Sequence, residues 1–187
     1  MEETVVIYHK DCFDGFCAAW LFENSPFADG AIYFPATYGD LPPYNLLKDK
    51  NVIIVDFSYP RPQMDQIMLT AESLLVLDHH KTAEAALKDF PKACFDMNRS
   101  GAMMMADWLD EQGYIAHNWL VSAVQDRDLW QFKLGGTKEI IAVLASHPFE
   151  FAVWDSIYDG GMERAVKQGA GILAYIENYG KKAAKHA

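Results

Sequence analysis

The amino-acid sequence predicts an α/β fold: a doubly wound, mainly parallel sheet with flanking helices, followed by a helical C-terminal segment. Two observations predict this class. Three short apolar runs, at residues 5–8, 52–55 and 74–77, each end in ionisable side chains, and helix-like stretches lie between the runs. Apolar runs without polar alternation are typical of strands covered on both faces of a parallel sheet. The alternation of strands and helices indicates right-handed crossovers.

The elements follow in order along the chain. An α/β domain is expected over residues 1–158 and a C-terminal helix over 159–187. Strands are predicted at residues 5–9, 31–38, 52–56 and 74–80. Helices are predicted at 16–24, 61–69 and 81–90, and then in succession at 100–113, 118–130, 137–146, 148–160 and 161–187.

Composition and charge exclude several classes of protein. The chain has 187 residues, of which 51% are hydrophobic and 22% charged, as in ordinary globular proteins. No apolar run is long enough for a membrane-spanning helix, and the acidic start lacks the basic region of a signal peptide, so we expect a cytoplasmic protein without membrane partners. The formal charge of −10 argues against binding long duplex nucleic acid.

Ionisable side chains gather where three predicted strands end. Because ligands bind beyond the carboxyl ends of the strands in an open parallel sheet, we expect these groups to share one crevice. They comprise four carboxylates and three imidazoles: His9, Asp11 and Asp14 after the first strand, Asp56 at the end of the third, and Asp78, His79 and His80 at the end of the fourth.

So many neighbouring carboxylates repel one another, which predicts a bound cation. Oxygen and imidazole ligands suit manganese, iron or a similar divalent ion, and a bridging carboxylate would hold two ions roughly 3.5 to 4 Å apart. Asp56 is the candidate bridge. Any one of these residues alone is more often a turn, cap or core residue, but three strand ends with the same pattern favour a metal site.

Four ordered motifs, "HKDCFDGFCAAW", "VIIVDFS", "LDHHKTA" and "VQDRDLW", resemble the DHH phosphoesterase family, which is named after the triplet Asp78-His79-His80. The resemblance covers about the first 130 residues. It implies a two-metal, usually manganese-dependent phosphoesterase, for which Mg²⁺ is an alternative ion. Carried over residue by residue, the implied metal ligands are His9, Asp11, Asp14, Asp56, His79 and Asp126.

The resemblance also implies catalytic roles for the other two members of the triplet. Asp78 would orient the imidazole of His79 from outside the ligand set, and His80 would contact the phosphate. The sequence adds Arg99, Ser100 and Arg127 as phosphate-binding candidates, because Ser100 stands at a predicted helix N-terminus that favours an anion. Asp128 is either a supporting group or a simple helix residue.

The sequence departs from the family pattern in two ways. Two residues separate Asp11 from Asp14, where many members have one, so the choice between these two as ligand stays open. Family members also commonly carry a second, substrate-binding domain with a glycine-rich loop, which is absent from these 187 residues. The chain is therefore either a minimal protein or part of a longer one. If it is minimal, the apolar face of the last predicted helix predicts a homodimer.

The sequence thus predicts an enzyme that hydrolyses phosphodiester or phosphomonoester bonds of small substrates with a metal-activated water. The expected substrates are short oligonucleotides, dinucleotides or a nucleotide bisphosphate. A pyrophosphatase or exopolyphosphatase is the alternative enzyme, because the same metal centre serves phosphoanhydrides. The alternative from another class is a catalytically weak module that binds a nucleotide or a protein.

Overall fold

The structure, a computed structural model, describes residues 3–183 and has the predicted α/β class. Its contacts divide the chain into two units, Met1–His117 and Asn118–Ala187. This division lies well before the sequence-based boundary at residue 158. The reason is that the helices after residue 118 pack on one another within the second unit.

The first unit contains a five-stranded sheet in which every neighbouring pair is parallel. The strands are β1 (Thr4–His9), β2 (Ile32–Ala36), β3 (Asn51–Val55), β4 (Ser73–Asp78) and β5 (Ala93–Phe95). Their order in the sheet is β2-β1-β3-β4-β5. The structure confirms the strands predicted from the apolar runs, each within a few residues.

The two edge strands, β2 and β5, have weaker sequence patterns than the central strands. The strand β2 contains Pro35, which lacks a backbone donor and is tolerated because β2 lies at the edge of the sheet. The strand β5 was not predicted, because its three residues are too few to form an apolar run.

Helices cover both faces of the sheet. On one face, α1 (Phe13–Glu23) and α5 (Gly101–Glu111) pack on each other and on the central strands. On the other face, side chains of β1, β3 and β4 form an apolar cluster with the buried Met64 and Ile67 of α3 (Arg61–Thr70). Two short helices, α2 (Tyr44–Leu47) and α4 (Lys81–Ala86), complete this unit. Burial on both faces explains the apolar strands.

The second unit is helical, as predicted. Its described helices are α6 (Trp119–Asp128), α7 (Thr137–Ala145), α8 (Phe151–Asp159) and α9 (Met162–Ala183). Within this unit α7 packs against α6 and α9. Gly136, in the left-handed region with φ of 94°, precedes α7, and an added Cβ there would lie 2.6 Å from Val166.

Among the helices that the structure describes, none combines the length and the apolar character needed to cross a bilayer.

Candidate metal centre

The strand order places the predicted ligands at a topological switch point. The strands β1 and β3 are neighbours, while the connections that leave them run to opposite faces of the sheet, which opens a crevice at their carboxyl ends. His9 is the last residue of β1, Asp56 directly follows β3, and Asp78 is the last residue of β4. The three strand ends therefore bring these side chains to one edge.

Asp56 lies at the centre of this edge. Its side chain is buried, and its φ of 54° lies in the left-handed region, which Asp tolerates better than most residues. The Oδ1 atom lies 3.1 Å from Nε2 of His79, and Oδ2 lies 3.7 Å from Nδ1 of His9. Burial alone would raise the pKa of Asp56, but the two imidazoles hold it down to about 2. The carboxylate is therefore ionised at neutral pH.

One oxygen of Asp56 is without a hydrogen bond. Oδ2 is buried and makes none to any residue that the structure describes. A buried, ionised oxygen in that state is costly, because it loses hydration without a compensating partner. A divalent cation is the partner that a carboxylate between two imidazoles would bind, so the residues present fit the metal that the sequence predicts.

Asp14 connects the centre to the start of α5. Its two carboxylate oxygens accept hydrogen bonds from the backbone N–H groups of Gly101 and Ala102, and Oδ2 lies 3.6 Å from Nε2 of His79. Ser100 caps the same helix by accepting from the N–H of Met103. The helix N-terminus that the sequence assigned to a phosphate thus holds the chain's own carboxylate. Phosphate binding by Ser100 stays a prediction.

Two glycines allow the elements to approach this closely. A Cβ at Gly15 would lie 2.6 Å from the carbonyl oxygen of His9. A Cβ at Gly101 would lie 2.6 Å from Cβ of Asp56 and 3.0 Å from Oδ2 of Asp14. The two distances of 2.6 Å are shorter than real Cβ contacts, so α1 and α5 can lie against the strand ends only without side chains at these two positions. The glycines therefore set the spacing of the centre.

Both carboxylate oxygens of Asp78 accept hydrogen bonds from nearby residues. Its Oδ1 lies 2.6 Å from Nδ1 of His80 and accepts the backbone N–H groups of His79 and His80, while Oδ2 accepts the Ser58 hydroxyl at 2.5 Å. The hydrogen bond to Asp78 raises the pKa of His80. Asp78 thus orients the ring of His80. Its contact with His79 is a hydrogen bond from the backbone N–H of that residue. The sequence assigned this orienting role toward His79.

Cys12 is a donor that the sequence interpretation left out. Its Sγ, a ring nitrogen of His9 and a carboxylate oxygen of Asp56 all lie within 4.8 Å of one another. Burial, followed by the negative charge of Asp56, raises the pKa of this thiol. Cys12 lacks the CxxC spacing of thiolate metal sites, so its position two residues before Asp14 was the available signal. A second such group joins Asp56, His79 and His80.

The two first-motif aspartates differ sharply in environment. Asp14 is fully buried beside His79, whereas Asp11 is exposed and has a φ of 54°. The geometry favours Asp14 as the ligand of the pair. The left-handed backbone at Asp11 turns the chain from β1 into α1, so Asp11 has a conformational role in addition to any ligand role.

Arg99 is engaged in a surface ion pair. Its guanidinium lies 3.3 Å from Asp107, and the other oxygen of Asp107 lies 2.9 Å from Nε2 of His117. About two fifths of the Arg99 side chain is exposed, and such pairs contribute little to stability. Among the described residues, Arg99 forms no hydrogen bond or ion pair with the predicted ligands at the strand ends. Phosphate binding by Arg99 stays a prediction.

Asp126 and Arg127 belong to the second unit. The Asp126 carboxylate is buried and accepts the Thr137 hydroxyl at 2.5 Å and the N–H groups of Lys133 and Leu134 at 2.8 and 3.1 Å. Burial would raise the pKa of Asp126, but these hydrogen bonds lower it overall. Asp126 therefore organises the turn between α6 and α7. Its metal role and phosphate binding by Arg127 stay predictions.

The comparisons with known proteins give relatives without an assigned activity. No protein-family model matches the chain. It is 30% identical over 190 residues to the uncharacterized protein R106 of Acanthamoeba polyphaga mimivirus. This match covers 93% of the present chain and 45% of that protein. It also resembles the crystal structure of an uncharacterized protein from Helicobacter pylori G27, with a TM-score of 0.59, 18% identity, and coverage of 70% and 45% of the two chains. The chain thus spans less than half of either protein, and the structural likeness shows the fold alone.

Proposed function

We propose that the protein is a divalent-metal-dependent phosphoesterase of the DHH family that hydrolyses small phosphorylated substrates. The observation that carries the proposal is the buried, ionised Asp56 carboxylate, whose Oδ2 has no hydrogen-bond partner among the described residues while imidazoles flank it. A structural carboxylate would be expected to satisfy both oxygens, as Asp78 does.

Two ions would be held by His9, Asp14, Asp56 and His79, with Cys12 as a further donor beside His9 and Asp56. Oxygen and nitrogen donors dominate this set, which favours Mn²⁺ and admits Mg²⁺. When bound, such ions lower the pKa of a water and stabilise negative charge on the oxygens of the phosphate.

The chain's own residues would position the substrate. His80 is one third exposed, and Asp78 fixes its ring through Nδ1, so Nε2 is the nitrogen left to meet a phosphate oxygen. The raised pKa of His80 favours its protonated form, which donates to an anion. Asp78 itself is buried and would act through His80.

Two further parts of the proposal concern the surroundings of the protein. Its three free cysteines are compatible with a reducing, cytoplasmic location. The exposed side chains of Tyr175, Ile176 and Tyr179 on α9 supply an apolar surface for the predicted homodimer.

A substrate panel tests the function. Short oligonucleotides, dinucleotides, a nucleotide bisphosphate, pyrophosphate and polyphosphate are each offered with Mn²⁺, with Mg²⁺ and with chelator. We expect turnover of the nucleotide esters that chelator abolishes. Absence of turnover with every substrate and ion would refute the proposal, and preference for the phosphoanhydrides would support the alternative enzyme.

A matched pair of variants tests the residue that carries the proposal. Asp56→Asn keeps the size of the side chain and tolerates the left-handed backbone, so it should fold and lose nearly all activity. Asp49→Asn is the control, because Asp49 is exposed and has a similar φ of 57°. The control should retain wild-type turnover.

A further inference from the structure

A second feature lies beside the candidate metal centre. A cavity of about 340 Å³, here called the aromatic cavity, is lined by Tyr38, Phe57 and Tyr59 together with Ser58 and Thr82. Its volume falls within the range of small-molecule sites, roughly 300 to 1,000 Å³. All of these residues belong to the first unit.

The aromatic cavity lies beside the candidate centre. The ring of Tyr38 lies 5.3 Å from the ring of His9 and 6.2 Å from that of His80. Ser58, which lines the cavity, donates its hydroxyl to Asp78. A group attached to a phosphate at His80 would therefore be within reach of this cavity.

The aromatic side chains offer a stacking surface. Tyr38 is 56% exposed, although its ring lies 5.0 Å from that of Phe57, which is buried. Phe57 in turn meets Tyr59 edge to face at 4.8 Å, so the rings support one another. An exposed ring held by buried rings is a rigid platform for a planar group.

Tyr59 contributes aromatic surface to the cavity. Its hydroxyl is buried and makes no hydrogen bond to any residue in the part of the chain that the structure describes, but it has no accessible surface through which a bound molecule could meet it. The cavity therefore offers mainly aromatic faces, which suit the planar face of a nucleobase.

We propose that the aromatic cavity binds the nucleobase next to the phosphate, so that the substrates of this site are nucleotide esters rather than inorganic phosphate chains. This inference rests on the proposed phosphoesterase function and names its substrate class. The residues described around the cavity include no lysine or arginine, so they offer no charge to hold the further phosphates of a polyphosphate. Sequence-tolerant stacking suits short oligonucleotides and dinucleotides.

The test compares two substrates that differ in one group. Linear diadenylate and an analogue without the base beside the scissile phosphate are hydrolysed by wild-type protein in the presence of Mn²⁺. We expect kcat/KM for diadenylate to exceed that for the abasic analogue by about 5- to 150-fold, the equivalent of a stacking contribution of roughly 1 to 3 kcal/mol.

Variants of Tyr38 show whether that difference comes from stacking. Tyr38→Ala should raise KM for diadenylate with little change in kcat and should leave the abasic analogue unaffected. Tyr38→Phe should restore the wild-type KM, because stacking needs the ring and not the hydroxyl. Phe27→Ala is the matched control, since Phe27 is an exposed aromatic residue of the first unit that does not line the aromatic cavity.

The outcomes separate the two proposals. If wild-type protein hydrolyses both substrates equally well, or Tyr38→Phe fails as badly as Tyr38→Ala, the nucleobase inference is overturned and the phosphoesterase proposal stands. If neither substrate is hydrolysed with any divalent ion, the nucleobase inference is overturned, and the phosphoesterase proposal falls with it only if every other substrate of the panel also fails. Preference for diadenylate that Tyr38→Ala abolishes supports the inference.

Discussion

Replacing Gly101 by alanine tests whether the close approach of α5 sets the geometry of the centre. The new Cβ would lie 2.6 Å from Cβ of Asp56, whereas carbon atoms ordinarily pack at about 3.5 Å or more. Asp56 and the start of α5 must therefore separate by about 1 Å. The same movement stretches the hydrogen bonds from Gly101 and Ala102 to Asp14.

Two magnitudes follow from this displacement. Overpacking of a tight contact costs about 1 to 3 kcal/mol of folding free energy, which urea unfolding of the Gly101→Ala variant would measure. A ligand misplaced by about 1 Å should lower Mn²⁺-dependent turnover by roughly 100-fold. The loss of activity should exceed what the fraction of unfolded protein explains.

The control is a glycine-to-alanine substitution at a position where the added Cβ has open space around it. Gly171 is exposed within α9, and a Cβ there meets no described atom within 4 Å. Gly171→Ala should stabilise the protein by up to about 1 kcal/mol, because alanine is the better helix former, and should leave turnover unchanged. If Gly101→Ala matched the wild type in both stability and turnover, the reasoning about the glycine contact would be refuted.

Three further predictions concern single hydrogen bonds or donors in the metal-free or cobalt-loaded protein. Thr137→Val removes the hydroxyl that donates to Asp126 and should lower the free energy of unfolding in urea by about 2 kcal/mol at pH 7. This loss should fade as the pH falls below about 4, because the lowered pKa of Asp126 stabilises the folded state only while the carboxylate is ionised. A loss that persists undiminished in acid would contradict this. Asp78 raises the pKa of His80, so the pair stabilises the folded state fully below about pH 6.5 and loses this stabilisation as the pH rises through the raised pKa. With chelator present, the difference in free energy of unfolding between wild type and His80→Gln should therefore shrink in alkaline solution. A difference that stays constant with pH would refute this linkage. Cobalt-loaded protein should show a thiolate-to-metal absorption band that Cys12→Ser lacks, because Cys12 lies beside His9 and Asp56; a band that survives the substitution would exclude Cys12 as a ligand.

The sequence predicted the parts of the fold that depend on local pattern. The strands β1, β3 and β4 are buried on both faces, so their apolar runs are visible in the chain, and each run ends where ionisable residues begin. The parallel order then brings His9 and Asp56 together, as expected from the common edge. The strand β5 and the division between the units after His117 depend on contacts between distant segments, which no local pattern encodes.

The details of the candidate centre depend on distances that the sequence does not carry. Two aspartates of one motif look equivalent in the chain, yet Asp14 is buried beside α5 and Asp11 is exposed. Similarly, the spacing of the triplet cannot say which imidazole Asp78 holds, because that choice follows from how the backbone leaves β4. Cys12 was absent from the predicted ligands because its neighbours in sequence are no guide to its neighbours in space.

The central claim is that Asp56 lies at the heart of a two-ion site, and titration calorimetry of the metal-free protein with Mn²⁺ tests it most directly. We predict that wild-type protein binds two ions per chain and that Asp56→Asn weakens binding by more than about tenfold, while Asp49→Asn binds as the wild type does. Absence of Mn²⁺ binding by the wild type, or unchanged binding by Asp56→Asn, would contradict the account.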